Sequence, residues 1–214
     1  MFSHVIWDFN GTIFDDVDIG IRSANVLLKR QGLPLIENRK QYRDVFGFPI
    51  IDYYRKLGLV TTQESYNELA PIWVDIYNEL EKSAKIFDGV EDKLKKIKSA
   101  GIKQIILSAT EAEMLKAQVK RLGIYDYFDD ILGLDNIRAE SKVAVAKEWI
   151  KKEKPQKAVF LGDTTHDFEV AKQIGVECIL IANGHQSREV LEKCGTKIVD
   201  RVDVIDELIG IQKD

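Results

Sequence analysis

Apolar residues follow two alternating patterns along most of the chain. Short apolar runs predict strands at residues 4–9, 104–108, 158–162, 178–182 and 197–199. Apolar positions that recur every three or four residues predict helices at 111–122, 142–151 and 165–174. Strands that alternate with helices indicate an α/β fold, in which a doubly wound parallel sheet has helices on both faces.

One long region lacks the strand pattern. It contains only helical patterns, at 17–31, 38–45, 49–57 and 62–83. We therefore predict an α/β core domain formed by residues 1–15 and 86–214, and a helical domain formed by residues 16–85. The aromatic residues of the helical region are expected to form its core: Tyr53, Tyr54, Trp73 and Tyr77.

Three local signals mark the helix ends in this region. The Gly-Leu-Pro sequence at 32–34 is expected to end the first helix. Thr61 and Glu64 have the spacing of a capping box, which predicts the start of the last helix. Pro71 lies inside that last helix and is expected to kink or split it.

Composition narrows the functional classes. The chain has 214 residues, of which 45% are hydrophobic, and a net charge of −4, so we expect a packed core and no nucleic-acid partner. Neither a signal peptide nor 18 consecutive apolar residues is present, so no membrane partner is expected. Cys178 and Cys194 form no metal-binding pattern and are interpreted as reduced thiols of a cytoplasmic protein.

Polar residues follow three of the predicted strands, where ligands bind in open parallel sheets. The first strand continues into Asp8-Phe9-Asn10-Gly11-Thr12, and the second ends at Ser108-Ala109-Thr110. The strand at 158–162 continues into Asp163-Thr164-Thr165-His166-Asp167, and Lys142 begins the helix before it. We expect these side chains to meet at one edge of the sheet.

These residue types suit a divalent cation beside a phosphoryl group. Asp8 and Asp163 supply the hard oxygen ligands that Mg²⁺ prefers, and Asp167 can hold a metal-bound water. Gly11 lets backbone N–H groups approach phosphate oxygens. A carboxylate can also be the nucleophile, which gives an aspartyl-phosphate. Hydrogen-bond donation by Ser108 and the positive charge of Lys142 would favour an anionic substrate.

The chain resembles the haloacid dehalogenase-like hydrolase superfamily. Its four motifs occur in the expected order, as Asp8-Phe9-Asn10-Gly11-Thr12, Ser108, Lys142 and Gly162-Asp163-x-x-x-Asp167. The inserted helical region resembles the C1 cap of this superfamily. The stretches GFPIIDYYRKLG, FDGVEDKLKKIKSAG and GDTTHDFEVAKQIG resemble its phosphoglycolate phosphatase-like branch.

The resemblance implies a function and the roles of the motif residues. It implies a Mg²⁺-dependent phosphatase for a small phosphorylated metabolite, with Asp8 as nucleophile and metal ligand. The other implied metal ligands are the backbone carbonyl of Asn10, Asp163 and Asp167. The implied phosphate-binding groups are Ser108, Lys142 and the backbone at Gly11, Thr12 and Ala109.

Asn10 departs from the superfamily pattern. Its phosphatases usually have aspartate at this position, as the acid for the leaving alcohol and the base for water. Asparagine cannot transfer a proton, and general acid–base catalysis typically contributes about 10²–10⁴-fold. We therefore predict a slow phosphatase that favours good leaving groups, such as aryl or acyl phosphates.

Several explanations of Asn10 remain open. The chain can be a catalytically quiet relative that binds a phosphorylated ligand or a protein partner. Asn10 can also be an engineered trap, or deamidate to aspartate in its Asn-Gly sequence. Another group, such as His166 or a residue of the helical domain, can supply the proton. A dehalogenase shares the nucleophile, but the Asp163–Asp167 pair favours a Mg²⁺ site.

The remaining expectations concern the surroundings of the site. Residues 43–49 are expected to contact the non-phosphate part of the substrate, with Arg43 either pairing with a carboxylate or lying in solvent. His166 is interpreted as a supporting residue. His185 is expected at the rim of the strand ends, and Asp15 and Asp16 as the connection to the helical domain.

Overall fold

A six-stranded sheet lies at the centre of the computed structural model, which describes residues 2–134 and 142–211. Its strands are β1 (His4–Trp7), β2 (Lys103–Glu111), β3 (Asp130–Leu134), β4 (Ala158–Gly162), β5 (Glu177–Ile181) and β6 (Lys197–Val199). All neighbouring strands are parallel, and their order is β3-β2-β1-β4-β5-β6. The predicted α/β class is confirmed. The apolar pattern did not predict β3, a half-buried edge strand that contains Gly133.

Helices connect the strands and form one further layer. They are α1 (Val17–Arg30), α2 (Arg39–Val45), α3 (Ile50–Lys56), α4 (Gln63–Leu80), α5 (Val90–Ser99), α6 (Ala112–Arg121), α7 (Val143–Glu153), α8 (Thr165–Ile174), α9 (Arg188–Leu191) and α10 (Asp206–Ile209). Within the described residues, no helix is both long and apolar enough to cross a bilayer.

The sheet is buried on both faces, which explains the continuous apolar sequence of β1. Val5 and Trp7 pack into the hydrophobic cluster on one face, and Ile6 packs into the cluster on the other. Parallel sheets covered on both faces have this unbroken apolar pattern. Because β1 lies between β2 and β4, its carboxyl end is at the centre of the sheet edge.

The helices α1–α4 have a hydrophobic cluster of their own. Val17, Leu27, Tyr42, Tyr53 and Tyr54 are among its buried members, and Trp73 packs against it. Two chain segments connect this layer to the sheet and run side by side. The Asp15 N–H donates to the Lys85 carbonyl, and the Phe87 N–H donates to the Ile13 carbonyl.

Two predictions about α4 are corrected by its geometry. The capping box uses Thr62 and Ser65, rather than Thr61 and Glu64, because the Thr62 hydroxyl accepts a hydrogen bond from the Ser65 N–H. Of the kink or split expected at Pro71, the split does not occur, because α4 continues through this residue as one helix.

Candidate active site

Asp8 follows the central strand β1 and begins a tight turn. Gly11 has φ +74°, a backbone conformation that residues other than glycine rarely adopt. A Cβ atom at this position would lie 2.2 Å from Asp163 Oδ2 and 2.5 Å from the His185 ring. The turn therefore requires glycine both for its backbone conformation and for the close approach of these two residues.

Three carboxylates meet at the carboxyl ends of β1 and β4. Asp8, Asp163 and Asp167 each place an oxygen within 4.8 Å of the others, and all three residues are buried. Lys142 Nζ donates to Asp8 Oδ1 at 2.5 Å and to Asp167 Oδ1 at 2.6 Å. Thr12 Oγ1 lies 3.4 Å from Asp8 Oδ2 and 3.3 Å from Asp163 Oδ1. Residues from motifs far apart in the sequence are thus brought into one cluster.

The start of α8 orients Asp167. Thr164 is the N-cap residue, and Asp167 Oδ2 accepts hydrogen bonds from the Thr164 hydroxyl and from the N–H groups of Asp163 and Thr164. This capping box leaves Asp167 Oδ1 free to face Lys142. Gly162 allows the turn to pass close by, since a Cβ there would lie 2.4 Å from Asp167 Cβ.

The buried charges of the cluster do not balance. Burial, and then the Asp167 charge, raise the pKa of Asp8 well above its usual range despite Lys142. Burial also raises the pKa of Asp163 to about 7. Burial opposes ionisation of Asp167, but the Lys142 ion pair prevails and lowers the pKa of Asp167. The cluster thus holds three carboxyl groups and one ammonium group, which contacts Asp8 and Asp167, and a divalent cation would compensate the excess of acidic groups.

The end of β2 brings hydroxyl groups to the same edge. Ser108 is buried, and its hydroxyl donates to Thr110 Oγ1 and accepts from the Thr110 N–H, both at 3.1 Å. Ser108 is not the N-cap of α6, because the Glu111 side chain accepts from the first N–H groups of that helix. Ala109, between Ser108 and Thr110, is half-buried. It lies in the part of β2 where the pairing with β3 becomes irregular.

Asn10 belongs to a hydrogen-bond network that the sequence did not predict. Its Nδ2 donates to Asp16 Oδ2 at 2.9 Å and to the Tyr77 hydroxyl at 2.8 Å. Its Oδ1 accepts from Thr110 Oγ1 at 2.9 Å. His185 Nε2 lies 3.1 Å from the other oxygen of Asp16. The Asn10 side chain is therefore held by hydrogen bonds at both ends of its amide.

For three members of this network, the sequence predicted a different position or role. Asp16 is a buried acceptor rather than a simple connection, and His185 is buried rather than at the rim. The Tyr77 hydroxyl reaches Asn10 and Asp16, although its ring stacks on Trp73. The position of His185 after β5 was a usable signal, since β5 ends at the same sheet edge. No signal pointed to Tyr77.

Asp16 and His185 stabilise each other's charged forms. Burial opposes ionisation of Asp16, but His185, Tyr77 and Asn10 together lower its pKa. Burial would lower the pKa of His185, but the Asp16 carboxylate outweighs it and raises the pKa to about 9. At neutral pH, the charged pair of His185 and Asp16 therefore contacts the turn through Asn10 and Gly11.

The end of α2 and the segment between α2 and α3 pack over the strand ends. The Arg43 guanidinium donates hydrogen bonds to the backbone carbonyls of Asn183 and Gly184, which hold it against the loop after β5. The Phe48 ring stacks on His166, with centroids 4.7 Å apart. These contacts hold α2 and the segment after it against the start of α8 and the loop after β5.

A cavity of about 670 Å³ opens beside this segment. Its lining includes Asp15, Arg39, Arg43, Lys85 and Arg201, but none of the three clustered carboxylates. The cavity therefore lies where the helical layer α1–α4 joins the sheet. It is separate from the carboxylate cluster.

Comparison with known proteins agrees with this geometry. Residues 5–181 match the family described as haloacid dehalogenase-like hydrolase. The tyrosine-protein kinase PtkA of Mycobacterium tuberculosis is 24% identical over 95% of this chain and 70% of its own length. A phosphoglycolate phosphatase of Synechococcus elongatus is 25% identical over 87% of each chain.

Solved structures share the fold. A haloacid dehalogenase-like family hydrolase from Streptococcus pneumoniae superimposes with a TM-score of 0.80 at 21% identity, over 97% of this chain and 98% of that one. The predicted superfamily and the predicted enzyme class, a hydrolase with phosphatases among its relatives, are confirmed. The chain belongs to the haloacid dehalogenase-like hydrolase family.

Proposed function

We propose that the protein is a Mg²⁺-dependent phosphatase that cleaves a small phosphorylated metabolite through an aspartyl-phosphate on Asp8. The observation that carries this proposal is the cluster of Asp8, Asp163 and Asp167 around Lys142 at the carboxyl ends of β1 and β4. Among relatives, phosphoglycolate phosphatases suggest a small, anionic organic phosphate as the substrate class. The two free cysteines are compatible with a cytoplasmic enzyme.

The donor set fits a magnesium ion. Asp8, Asp163 and Asp167 offer only oxygen ligands, and burial, together with the neighbouring carboxylate of Asp167, raises the pKa values of Asp8 and Asp163. With the carbonyl of Asn10, these residues would hold Mg²⁺. A bound Mg²⁺ would neutralise charge on the phosphoryl group and on the attacking carboxylate.

The protein groups would position the substrate and the nucleophile. Lys142 holds Asp8 through Oδ1, which leaves Oδ2 as the attacking oxygen. The Ser108 hydroxyl and the backbone N–H groups near Gly11, Thr12 and Ala109 would bind phosphate oxygens. Attack of Asp8 on phosphorus breaks the bond to the leaving oxygen, and water then cleaves the aspartyl-phosphate to give inorganic phosphate.

The helical domain, residues 16–85, would act as a cap over this reaction. Arg43 of α2 contacts the loop after β5, and Phe48, between α2 and α3, contacts His166 at the start of α8. Residues 43–49 would therefore contact the non-phosphate part of the substrate and exclude water.

A quiet, ligand-binding protein is the second candidate function. The observation that favours it is Asn10, whose amide is occupied by Asp16, Tyr77 and Thr110 and carries no transferable proton. PtkA, named as a tyrosine-protein kinase, suggests a protein partner for this candidate. Turnover of a simple phosphate ester distinguishes the two functions.

The test of the proposed function is hydrolysis of p-nitrophenyl phosphate with and without Mg²⁺. We expect measurable turnover with millimolar Mg²⁺ and a loss of at least about 100-fold after chelation with EDTA, because buried carboxylates would otherwise repel the phosphate. Restoring Mg²⁺ should restore the rate. Phosphate binding without turnover at any Mg²⁺ concentration would instead support the ligand-binding candidate.

The leaving group should control the rate strongly. Because Asn10 cannot protonate a leaving oxygen, we expect aryl or acyl phosphates to be cleaved at least about 100-fold faster than alkyl phosphates of similar size. The measurement compares kcat/KM for p-nitrophenyl phosphate, acetyl phosphate and an alkyl phosphate. Equal values would show that another group supplies the proton.

A further inference from the structure

We propose that Asp16 is a positioning residue that requires a hydrogen-bond donor at position 10, and thereby keeps asparagine where a proton-transferring aspartate would otherwise stand. In this pair, the residue at position 10 donates a hydrogen bond and the residue at position 16 accepts it. Its kinetic test rests on the proposed function, whereas its stability test does not.

Each oxygen of the Asp16 carboxylate has two hydrogen-bond partners. It is 2% exposed. Oδ1 accepts from the Gly11 N–H at 2.9 Å and lies 3.1 Å from His185 Nε2. Oδ2 accepts from Asn10 Nδ2 at 2.9 Å and from the Tyr77 hydroxyl at 2.6 Å. Four donors surround this buried group, an arrangement that fits a carboxylate and not a neutral acceptor.

The donors around Asp16 fix the direction of the Asn10 amide. Tyr77 has a single hydroxyl proton and donates it to Asp16, so its oxygen can only accept from residue 10. Thr110 donates to the opposite end of the amide. Its hydroxyl in turn accepts from Ser108. The chain of hydrogen bonds thus runs in one direction, from Ser108 through Thr110 and Asn10 to Asp16.

A carboxylate at position 10 would replace the hydrogen-bond donor of this pair with an acceptor, while Asp16 would remain an acceptor. The new carboxylate would keep the hydrogen bond from Thr110, but its second oxygen would face Asp16 Oδ2 at about the present 2.9 Å, so the two groups could stay together only by sharing one proton, which is then not free for the leaving group. It would also face the Tyr77 oxygen, which has no second proton to donate. Two like charges this close in a buried site are strongly unfavourable.

Exchanging both residues would restore the pair with opposite polarity. In N10D/D16N, the amide at position 16 can donate to the new carboxylate, and its carbonyl can accept from Gly11 and His185. The Tyr77 hydroxyl is then free to turn its proton toward position 10. A carboxylate would then stand two residues after Asp8, in the place from which a proton reaches the leaving group.

The kinetic test compares the parent protein with N10D, D16N and N10D/D16N on aryl and alkyl phosphates. We expect N10D alone to change kcat by less than about 10-fold, and N10D/D16N to raise kcat on the alkyl phosphate by about 100-fold or more. The ratio of alkyl to aryl rates should rise in the double variant. A purely structural role of Asp16 would not change this ratio.

Asp15 provides the matched control. It is the neighbouring carboxylate, is half-buried, and pairs with Arg39 instead of with the Asn10 network. N10D/D15N should therefore behave as N10D does. The proposal is overturned if N10D alone reaches the rate of N10D/D16N, or if N10D/D15N gains as much as N10D/D16N.

Thermal unfolding tests the pair without any enzymatic reaction. We expect N10D to lower the unfolding midpoint by about 5 °C, and D16N to recover most of that loss when it is added to N10D. Additive shifts in the double variant would overturn the pairing of residues 10 and 16. Coupled shifts without a gain in turnover would leave the pairing intact and contradict the proposed function of position 10.

Discussion

Replacing Asp8 with asparagine is expected to abolish phosphate ester hydrolysis. The Asp8 carboxylate directly follows the central strand, accepts a hydrogen bond from Lys142 and is the proposed nucleophile. An amide oxygen is a poor nucleophile, so kcat should fall by at least about 10⁴-fold. The measurement is p-nitrophenyl phosphate hydrolysis in Mg²⁺ with purified Asp8→Asn.

Asp15→Asn is the control for this variant, since it removes a carboxylate near the same turn without touching the cluster. Its activity should stay within a few-fold of the parent. Trapping of the aspartyl-phosphate with hydroxylamine should label the parent and not Asp8→Asn. Retained hydrolysis in Asp8→Asn would exclude Asp8 as the nucleophile.

Replacing Lys142 with methionine is expected to reduce both stability and activity. Its ammonium group is 3% exposed and contacts two buried carboxylates. Removing one partner of a buried ion pair typically costs about 3–5 kcal/mol, because the remaining charges lose their compensation. For a chain of this size, the unfolding midpoint should fall by roughly 6–20 °C.

Addition of Mg²⁺ should recover part of the stability lost in Lys142→Met, because the cation would compensate the same carboxylates. Turnover should remain about 10²–10³-fold below the parent, since a positive charge beside the phosphoryl group is lost. Lys147→Met is the matched control on the same helix, where the exposed Lys147 contacts only Gln173 among the described residues. Equal effects of the two substitutions would contradict the role given to Lys142.

The main features of the sheet could be predicted from the sequence because its central strands are buried on both faces. An unbroken apolar run such as that of β1 or β4 admits few other interpretations. The edge strand β3 lacks this signal, since its residues are half-buried and it contains Gly133. The capping box of α4 was misplaced by one residue because adjacent threonines, Thr61 and Thr62, offer the same side chain.

The motif residues of the site could be predicted because each follows a strand or begins a helix. The surroundings of Asn10 could not, because they combine residues from distant parts of the chain. Tyr77 lies 61 positions from Asp16, and His185 lies 169 positions from it. Their polar tips reach the site only because α4 and the loop after β5 pack there. Aromatic residues in an amphipathic helix carry no sign of such a polar contact.

The central place of β1 in the sheet also has a consequence for folding. The first strand of the chain forms its two ladders with residues 103–106 and 158–161. It can therefore form the first of these ladders only when residues 103–106 have been synthesised, and the second only when residues 158–161 have been. The α1–α4 cluster needs no residue beyond α4, so its contacts are available earlier. Because β1 is apolar on both faces, its protection by chaperones during synthesis would matter more than that of any later strand.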